Sequence, residues 1–117
     1  MIVGIVSDGD APVVVLELAN REWPAVVDTG FNGDLELPEE LRSLLPHEYM
    51  GRTISFLAAG QKTEEDAYFV IIPFDGEMVA AEATFVSGKE ILIGTHLLRH
   101  HRLEVNFPER TVMIERI

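Results

Sequence analysis

The amino-acid sequence predicts an all-β fold, and two observations carry this prediction. Short runs rich in valine, isoleucine and phenylalanine alternate with turn signals along most of the chain. Leu103, Val105 and Phe107 alternate with polar residues, which is the pattern of a half-buried strand. The length of 117 residues suits a single domain over residues 1–117, and 47% hydrophobic residues are enough for a core.

The individual elements follow from local signals in chain order. Ser7–Asp10 is a turn sequence between two apolar runs, and a third apolar run ends at Asp28. Glu39–Leu45 has helical spacing after Pro38, and Thr95–His100 predicts one or two helical turns. The predicted strands are Met1–Val6, Pro12–Leu18, Trp23–Asp28, Thr53–Ala58, Ala67–Phe74, Met78–Val86, Ile91–Ile93, Leu103–Phe107 and Thr111–Arg116.

The composition excludes several classes of partner. With 9 basic and 20 acidic residues, the net charge of −11 argues against binding nucleic acid or an anionic membrane. The absence of cysteine excludes disulfides and thiolate metal sites. The longest apolar run, near Tyr68–Phe74, contains a proline and is too short to span a bilayer, and the first residues lack a basic leader. We therefore expect a soluble, cytoplasmic protein.

The chemically suggestive stretch is Val26-Val27-Asp28-Thr29-Gly30, an apolar run that ends on a carboxylate, a hydroxyl and a glycine. Aspartate and glycine are common turn residues, so a strand that ends in an ordinary turn is the simplest interpretation. Two such carboxylates facing each other at about 3 Å would instead share one proton. One would then activate water as a base while the other protonates a carbonyl oxygen. That pair cleaves peptide bonds without a metal ion.

A second anchor supports the catalytic interpretation. Ile91-Leu92-Ile93-Gly94 leads into Leu97-Leu98 and then into Leu103–Phe107. With the Asp-Thr-Gly stretch, this order and spacing resembles the retropepsin-like aspartic proteases, the family of retroviral proteases and their bacterial relatives. The resemblance covers about Pro12 to Phe107. It implies a closed or nearly closed β-barrel with one or two short helices.

The resemblance also implies roles for individual residues. Asp28 would be the catalytic acid, Thr29 would supply a hydroxyl that braces paired loops, and Gly30 would contact the substrate through its backbone. Because the chain holds one Asp-Thr-Gly, the second carboxylate must come from a second copy, so a homodimer is expected. The hairpin around Leu57–Lys62 would close over the peptide as a flap, and its residues Leu57, Ala58, Ala59, Gly60 and Gln61 would contact or support the substrate.

The chain departs from the family pattern beside the motif. Phe31 stands where the family usually has a small residue. Asn32 and Thr95 stand where retroviral members have an Asp–Arg ion pair, so both halves of that pair are replaced together. The flap tip has one glycine, Gly60, where retroviral flaps have several. Phe31 and Asn32 are expected to support the substrate site.

The expected function is that of a homodimeric aspartic endopeptidase that cleaves extended peptides of a peptide or protein substrate. No metal or organic cofactor is implied. The alternative is a catalytically silent peptide-binding or dimerisation module with the same fold, which Phe31 and the glycine-poor flap would suit.

Two metal-binding patterns compete weakly with this interpretation. The loop from Asp28 to Glu39 partly fits a calcium-binding EF-hand, but Gly30 occupies a ligand position and a β-rich run precedes the loop where a helix is required. His96 and His100 have the spacing of ligands on one helix face, but no third ligand stands out. Imidazoles near a helix C-terminus also interact favourably with its dipole, which is the simpler interpretation.

Overall fold

The computed structural model of the protein describes residues 1–56 and 58–117. Within these residues the chain is nearly all β, with ten strands and two short 3₁₀ helices, Glu39–Leu41 and Ala58–Gly60. No helix in the described part of the chain has the length and apolar character needed to cross a membrane. The strands are β1 (Ile2–Val6), β2 (Pro12–Leu18), β3 (Arg21–Val27), β4 (Leu35–Pro38), β5 (His47–Phe56), β6 (Lys62–Phe74), β7 (Glu77–Val86), β8 (Ile91–Ile93), β9 (His101–Asn106) and β10 (Thr111–Arg116).

The strands form one sheet in the order β5-β6-β7-β4-β8-β3-β2-β1-β10-β9. Most neighbours are antiparallel, but β3 pairs with β8 and β4 pairs with β7 in parallel. The all-β prediction is confirmed. In the described residues no hydrogen-bonded pairing joins the end strands β5 and β9, so the predicted closure into a barrel is not confirmed by the ladder.

The core lies where alternate residues of these strands meet. Strand β2 buries every second side chain, and β3 does the same with Trp23, Ala25 and Val27. The Trp23 indole donates a hydrogen bond to the Leu18 carbonyl oxygen at 3.1 Å, so its one polar atom is satisfied inside the core. The largest fully buried side chains include Leu18, Leu35, Leu37, Leu41, Ile72, Ile91, Ile93 and Ile114.

The first of the two predicted helical segments is shorter than expected. The 3₁₀ helix Glu39–Leu41 replaces the helix predicted over Glu39–Leu45. The chain continues as turns, because the N–H groups of Leu44 and Leu45 both donate to the Leu41 carbonyl oxygen. Thr95–His100 forms consecutive turns, with hydrogen bonds from the Leu98 N–H to the Thr95 oxygen and from the Arg99 N–H to the His96 oxygen, which is close to the one or two helical turns predicted. The spacing of apolar residues in these segments indicates which side chains are buried and does not require a continuous helix, since Leu97 and Leu98 both lie in the core.

The hairpin of β5 and β6 is longer than predicted. Strand β5 already begins at His47 and strand β6 at Lys62. Because the added residues are mostly polar, the sequence does not show them as part of a strand. The pairing extends to the pair Phe56–Lys62, which confirms a hairpin around the predicted tip. Leu57 lies outside the described residues. Strand β4 was not predicted, because four residues carry too little periodicity to identify.

Candidate active site

Asp28 lies directly after β3, where the strand leaves the core. Its backbone N–H donates to the Ile93 carbonyl oxygen at 2.9 Å, which continues the parallel pairing of β3 and β8 by one residue. The half-buried carboxylate accepts the Gly30 N–H at 2.9 Å through Oδ1. The Asp28 carbonyl oxygen accepts the Phe31 N–H at 3.1 Å. A tight turn therefore fixes the carboxylate at the end of a buried strand.

Three backbone hydrogen bonds clasp this loop to the segment after β8. The N–H of Thr95 donates to the Phe31 carbonyl oxygen at 2.9 Å, and that of His96 donates to the Gly33 carbonyl oxygen at 3.1 Å. The N–H of Gly94 donates to the carbonyl oxygen of Asp34 at 3.0 Å. The approach requires glycine at position 94, because an added Cβ would lie 2.1 Å from the Gly33 oxygen.

Phe31 packs its ring inside this clasp. A Cβ added at Gly33 or at Gly94 would lie 2.8 Å from atoms of the Phe31 ring. The two glycines thus provide the room that the large side chain occupies. Phe31 supports the loop that carries Asp28, whereas its predicted support of the substrate stays a prediction.

The two positions that replace the retroviral ion pair touch each other. The Thr95 hydroxyl lies 3.4 Å from Asn32 Oδ1 and 3.4 Å from the Phe31 carbonyl oxygen. A neutral contact therefore occupies the place of the charged one. Thr29 is exposed. The predicted roles of Thr29 and of the Gly30 backbone toward a second copy and a substrate are not tested by one chain.

Asp34 is a structural residue of this site that sequence reasoning missed. Its carboxylate is buried, with Oδ2 accepting the backbone N–H of Glu82 at 2.9 Å and Oδ1 lying 2.6 Å from Nδ1 of His96. It therefore links β7 to the turn that follows β8. No signal in a single sequence pairs these residues, because they are far apart along the chain.

Neither of the two metal-binding patterns in the sequence, both within the described residues, has the secondary structure that it requires. Strands β3 and β4 flank the loop, so the helices of an EF-hand are replaced by strands. His96 contacts Asp34, while His100 is exposed and does not share a helix with it. Within residues 1–56 and 58–117, no group of three or more His, Asp or Glu side chains is placed to hold a metal ion.

The strand register places a row of side chains beside Asp28 that we call the floor row: Val26, Leu92, Glu36 and Thr84. Val26 pairs with Leu92, Leu92 pairs with Glu36, and Glu36 pairs with Thr84. Residues directly opposite one another in a sheet share a face. Asp28 follows Val26 by two residues, so it continues the same face of β3.

Two other acidic groups lie near enough to Glu36 in the floor row for their charges to act on it. Burial raises the pKa of the Glu36 carboxyl, and the negative charges of Glu65 and Asp28 raise it further. Glu65 is half-buried on β6, one arm of the long hairpin. The hairpin arm, the floor row and Asp28 therefore surround one acidic region.

The predicted flap residues lie at the end of this hairpin. Ala58–Gly60 forms a 3₁₀ turn in which Ala59 has a φ of 67° and Gly60 a φ of 77°. Ala59, Gly60 and Gln61 are exposed. Their contact with a peptide, like that of Leu57, stays a prediction.

Comparison with solved structures identifies the fold. The chain is similar to a retropepsin-like aspartic protease from Rickettsia conorii, with a TM-score of 0.69 and 14% identity over 97% of this chain and 89% of that chain. It is also similar to EIAV protease in complex with the inhibitor HBY-793, with a TM-score of 0.60 and 15% identity over 76% of this chain and 86% of that one. No family model and no curated protein matches the sequence. The chain has a retropepsin-like fold, which confirms the resemblance at that level.

Proposed function

We propose that the protein is an aspartic endopeptidase that acts as a homodimer, with Asp28 of each copy supplying one carboxylate. The observation that carries this proposal is the Asp28-Thr29-Gly30 turn at the end of β3, with the carboxylate held by the Gly30 N–H. The clasp between this loop and Gly94–His96 gives the turn a rigid base. The two similar solved structures support the proposal through their fold and their description as proteases.

The proposed chemistry needs one proton shared by two Asp28 carboxylates. The ionised carboxylate takes a proton from water as the water attacks the peptide carbonyl carbon. The protonated carboxylate donates its proton to the carbonyl oxygen. The hydrogen bond from Gly30 orients the Asp28 carboxylate in both roles, so that the reacting oxygen is already in place when the peptide arrives.

Three features of the single chain favour a second copy. Each chain has one Asp-Thr-Gly, and Thr29 beside the carboxylate is exposed. Beyond the floor row, the same face of the sheet continues from Val26 to its partner Val13 and then to Ile5, an apolar side chain that is exposed in the single chain. Strand β9 ends the sheet with a free edge in the described pairings, and such an edge is open to pairing with another chain.

The substrate in this proposal is an extended peptide that lies between the long hairpin and the floor row. Backbone hydrogen bonds to a strand edge would hold it without regard to sequence, and side-chain pockets would select it. The hairpin of β5 and β6 would close over the peptide as a flap.

The alternative function, a catalytically silent binding or dimerisation module, has less support. Phe31 beside the motif and the glycine-poor flap are the reasons for considering it, and the Phe31 ring packs into space that Gly33 and Gly94 leave free. The large Phe31 side chain therefore fits beside the motif without disturbing the Asp28 turn.

The test compares the wild type with Asp28→Asn on a library of peptides at mildly acidic pH. The amide is nearly isosteric but cannot act as a base, so cleavage should disappear while the thermal unfolding midpoint stays close to that of the wild type. Asp8→Asn is the matched control, since Asp8 is an exposed aspartate in the first turn, and it should leave cleavage unchanged. Cleavage that survives Asp28→Asn would refute the proposal.

A further inference from the structure

The floor row contains one carboxylate, that of Glu36, which forms no ion pair with residues 1–56 or 58–117. Glu36 is half-buried on β4, opposite the apolar Leu92, on the face that Asp28 continues. In the part of the chain that the structure describes, the arginine ion pairs involve other carboxylates, and none of them includes Glu36 or Glu65. A half-buried carboxylate without a partner is costly, and a positive group from outside the chain would relieve that cost.

Thr84 supplies a second and independent observation at the same place. It is 9% exposed, and its Oγ1 is fully buried without a hydrogen-bond partner among the described residues. Thr84 pairs directly with Glu36, so its side chain lies on the same face of the sheet. Buried hydroxyls in proteins almost always find a partner, which marks this oxygen as one that a ligand would meet.

We propose that Glu36 and Thr84 form a subsite that takes the lysine or arginine side chain of a peptide bound beside Asp28. This inference rests on the proposed function, which places the peptide over the floor row. The ammonium or guanidinium donates to the Glu36 carboxylate in a charge-assisted hydrogen bond, and a further N–H donates to the Thr84 hydroxyl once rotation about χ1 brings that oxygen to the surface. The aliphatic stem of the same side chain packs on Leu92.

The surrounding charges favour a basic ligand over a neutral one. Glu65 on the hairpin arm and Asp28 at the end of β3 are both close enough to raise the pKa of Glu36. A cation between these groups interacts favourably with all three, whereas an acidic side chain is repelled by each of them. The net charge of −11 adds a long-range attraction for basic peptides that weakens with salt.

The first experiment measures cleavage preference at neutral pH and at mildly acidic pH, with the same pair of peptides at both. Two peptides differ at one position beside the scissile bond, which carries lysine in one and norleucine in the other. The wild type should cleave the lysine peptide roughly tenfold faster, the size of one charge-assisted hydrogen bond. Glu36→Gln should remove the preference and Thr84→Val should reduce it. Glu40→Gln, an exposed glutamate on the 3₁₀ helix, should keep it.

The second experiment separates failure of the subsite from failure of the proposed endopeptidase. Fluorescence anisotropy measures binding of the two peptides, labelled and at equal salt, to the Asp28→Asn protein and to the Asp28→Asn, Glu36→Gln double variant. Tighter binding of the lysine peptide that depends on Glu36 supports the subsite even if the wild type cleaves neither peptide. Cleavage of both peptides at the same rate, with no effect of Glu36→Gln on either measurement, overturns the subsite and leaves the endopeptidase standing. Equal binding without cleavage overturns both.

Discussion

The Asp34 carboxylate and the His96 ring lie 2.6 Å apart between Oδ1 and Nδ1, at the junction of the Asp28 loop, β7 and the turn after β8. The other carboxylate oxygen accepts the Glu82 N–H at 2.9 Å. Asp34 is buried while the His96 ring is largely exposed. One carboxylate therefore holds three segments together, and most of the energetic consequence of losing the contact falls on the buried partner.

We expect Asp34→Ala to lower the free energy of unfolding by about 2–4 kcal/mol, because it leaves the Glu82 N–H and the His96 ring without their acceptor. His96→Ala should cost less, since water can reach the Asp34 oxygen that it uncovers. Denaturant unfolding of both single variants and the double variant measures the coupling. Asp8→Ala serves as the control and should change stability by less than about 0.5 kcal/mol. Additive effects of the two substitutions would contradict a direct interaction.

Gly94→Ala should destabilise the protein by about 3 kcal/mol or more, since its Cβ would overlap the backbone of Gly33 and the loop would have to move away. Gly9→Ala is the matched control. A Cβ at Gly9 meets one atom at 4.0 Å, so this variant should unfold at nearly the wild-type midpoint. Thermal unfolding compares the two. Equal midpoints would show that the loop yields more easily than its hydrogen bonds suggest.

Glu36→Gln should stabilise the protein at neutral pH. The folded chain holds the Glu36 proton more tightly than the unfolded chain does, because burial and then the charges of Glu65 and Asp28 raise its pKa above the ordinary 4.5. The stability that this group contributes is present below the unfolded pKa and is lost as the pH rises through the folded pKa. The difference between variant and wild type should therefore grow from acidic to neutral pH. Denaturant unfolding across this range measures the difference, and Glu40→Gln, a substitution at an exposed glutamate, is the matched control.

The proposed homodimer predicts that activity depends on protein concentration. Sedimentation over a dilution series should show dissociation, and cleavage per chain should fall over the same range because a single chain lacks the second Asp28. Mixing the wild type with an excess of Asp28→Asn chains should suppress cleavage through inactive mixed dimers. Undiminished cleavage by a monomer would mean that the second acid comes from the same chain.

The proposed flap predicts slower hydrogen exchange at the end of the long hairpin when the site is occupied. The exposed amides of Ala59–Gln61 should gain protection on adding a pepstatin-like inhibitor, because closure would shield them from water. Amides of the turn Ser7–Asp10 provide an internal reference. Unchanged exchange at the hairpin end, with inhibitor binding shown by calorimetry, would contradict the flap.

Features encoded within a few residues were accessible from the sequence. The alternation in β9 and the apolar runs of β2, β3 and β6 identified the sheet, because the pleat repeats every two residues. The Asp28-Thr29-Gly30 turn was also local. The length of the first helix was overestimated because the spacing of Glu39–Leu45 reports which side chains are buried, and two buried leucines do not require a continuous helix.

Features that depend on tertiary contacts could not be predicted from the sequence. Glu36 and Thr84 became neighbours only through the parallel pairing of β4 with β7, and Asp34 met His96 only through the clasp. A single sequence contains no trace of a register between distant strands. Phe31 departs from the family pattern in the sequence itself, but the space that accommodates it comes from Gly33 and from the distant Gly94.

That accommodation of Phe31 constrains the order in which this loop can change during evolution. A side chain at position 33 would collide with the ring alone, so replacing Gly33 becomes tolerable after Phe31 has given way to a small residue. If position 33 changes first, the Phe31 ring and the new side chain at position 33 occupy the same space. Position 94 has no such route, because the Gly33 backbone oxygen blocks it whatever stands at position 31. Substitutions in this loop should therefore occur in a fixed order, Phe31 before Gly33, and Gly94 should be retained longer than either of them.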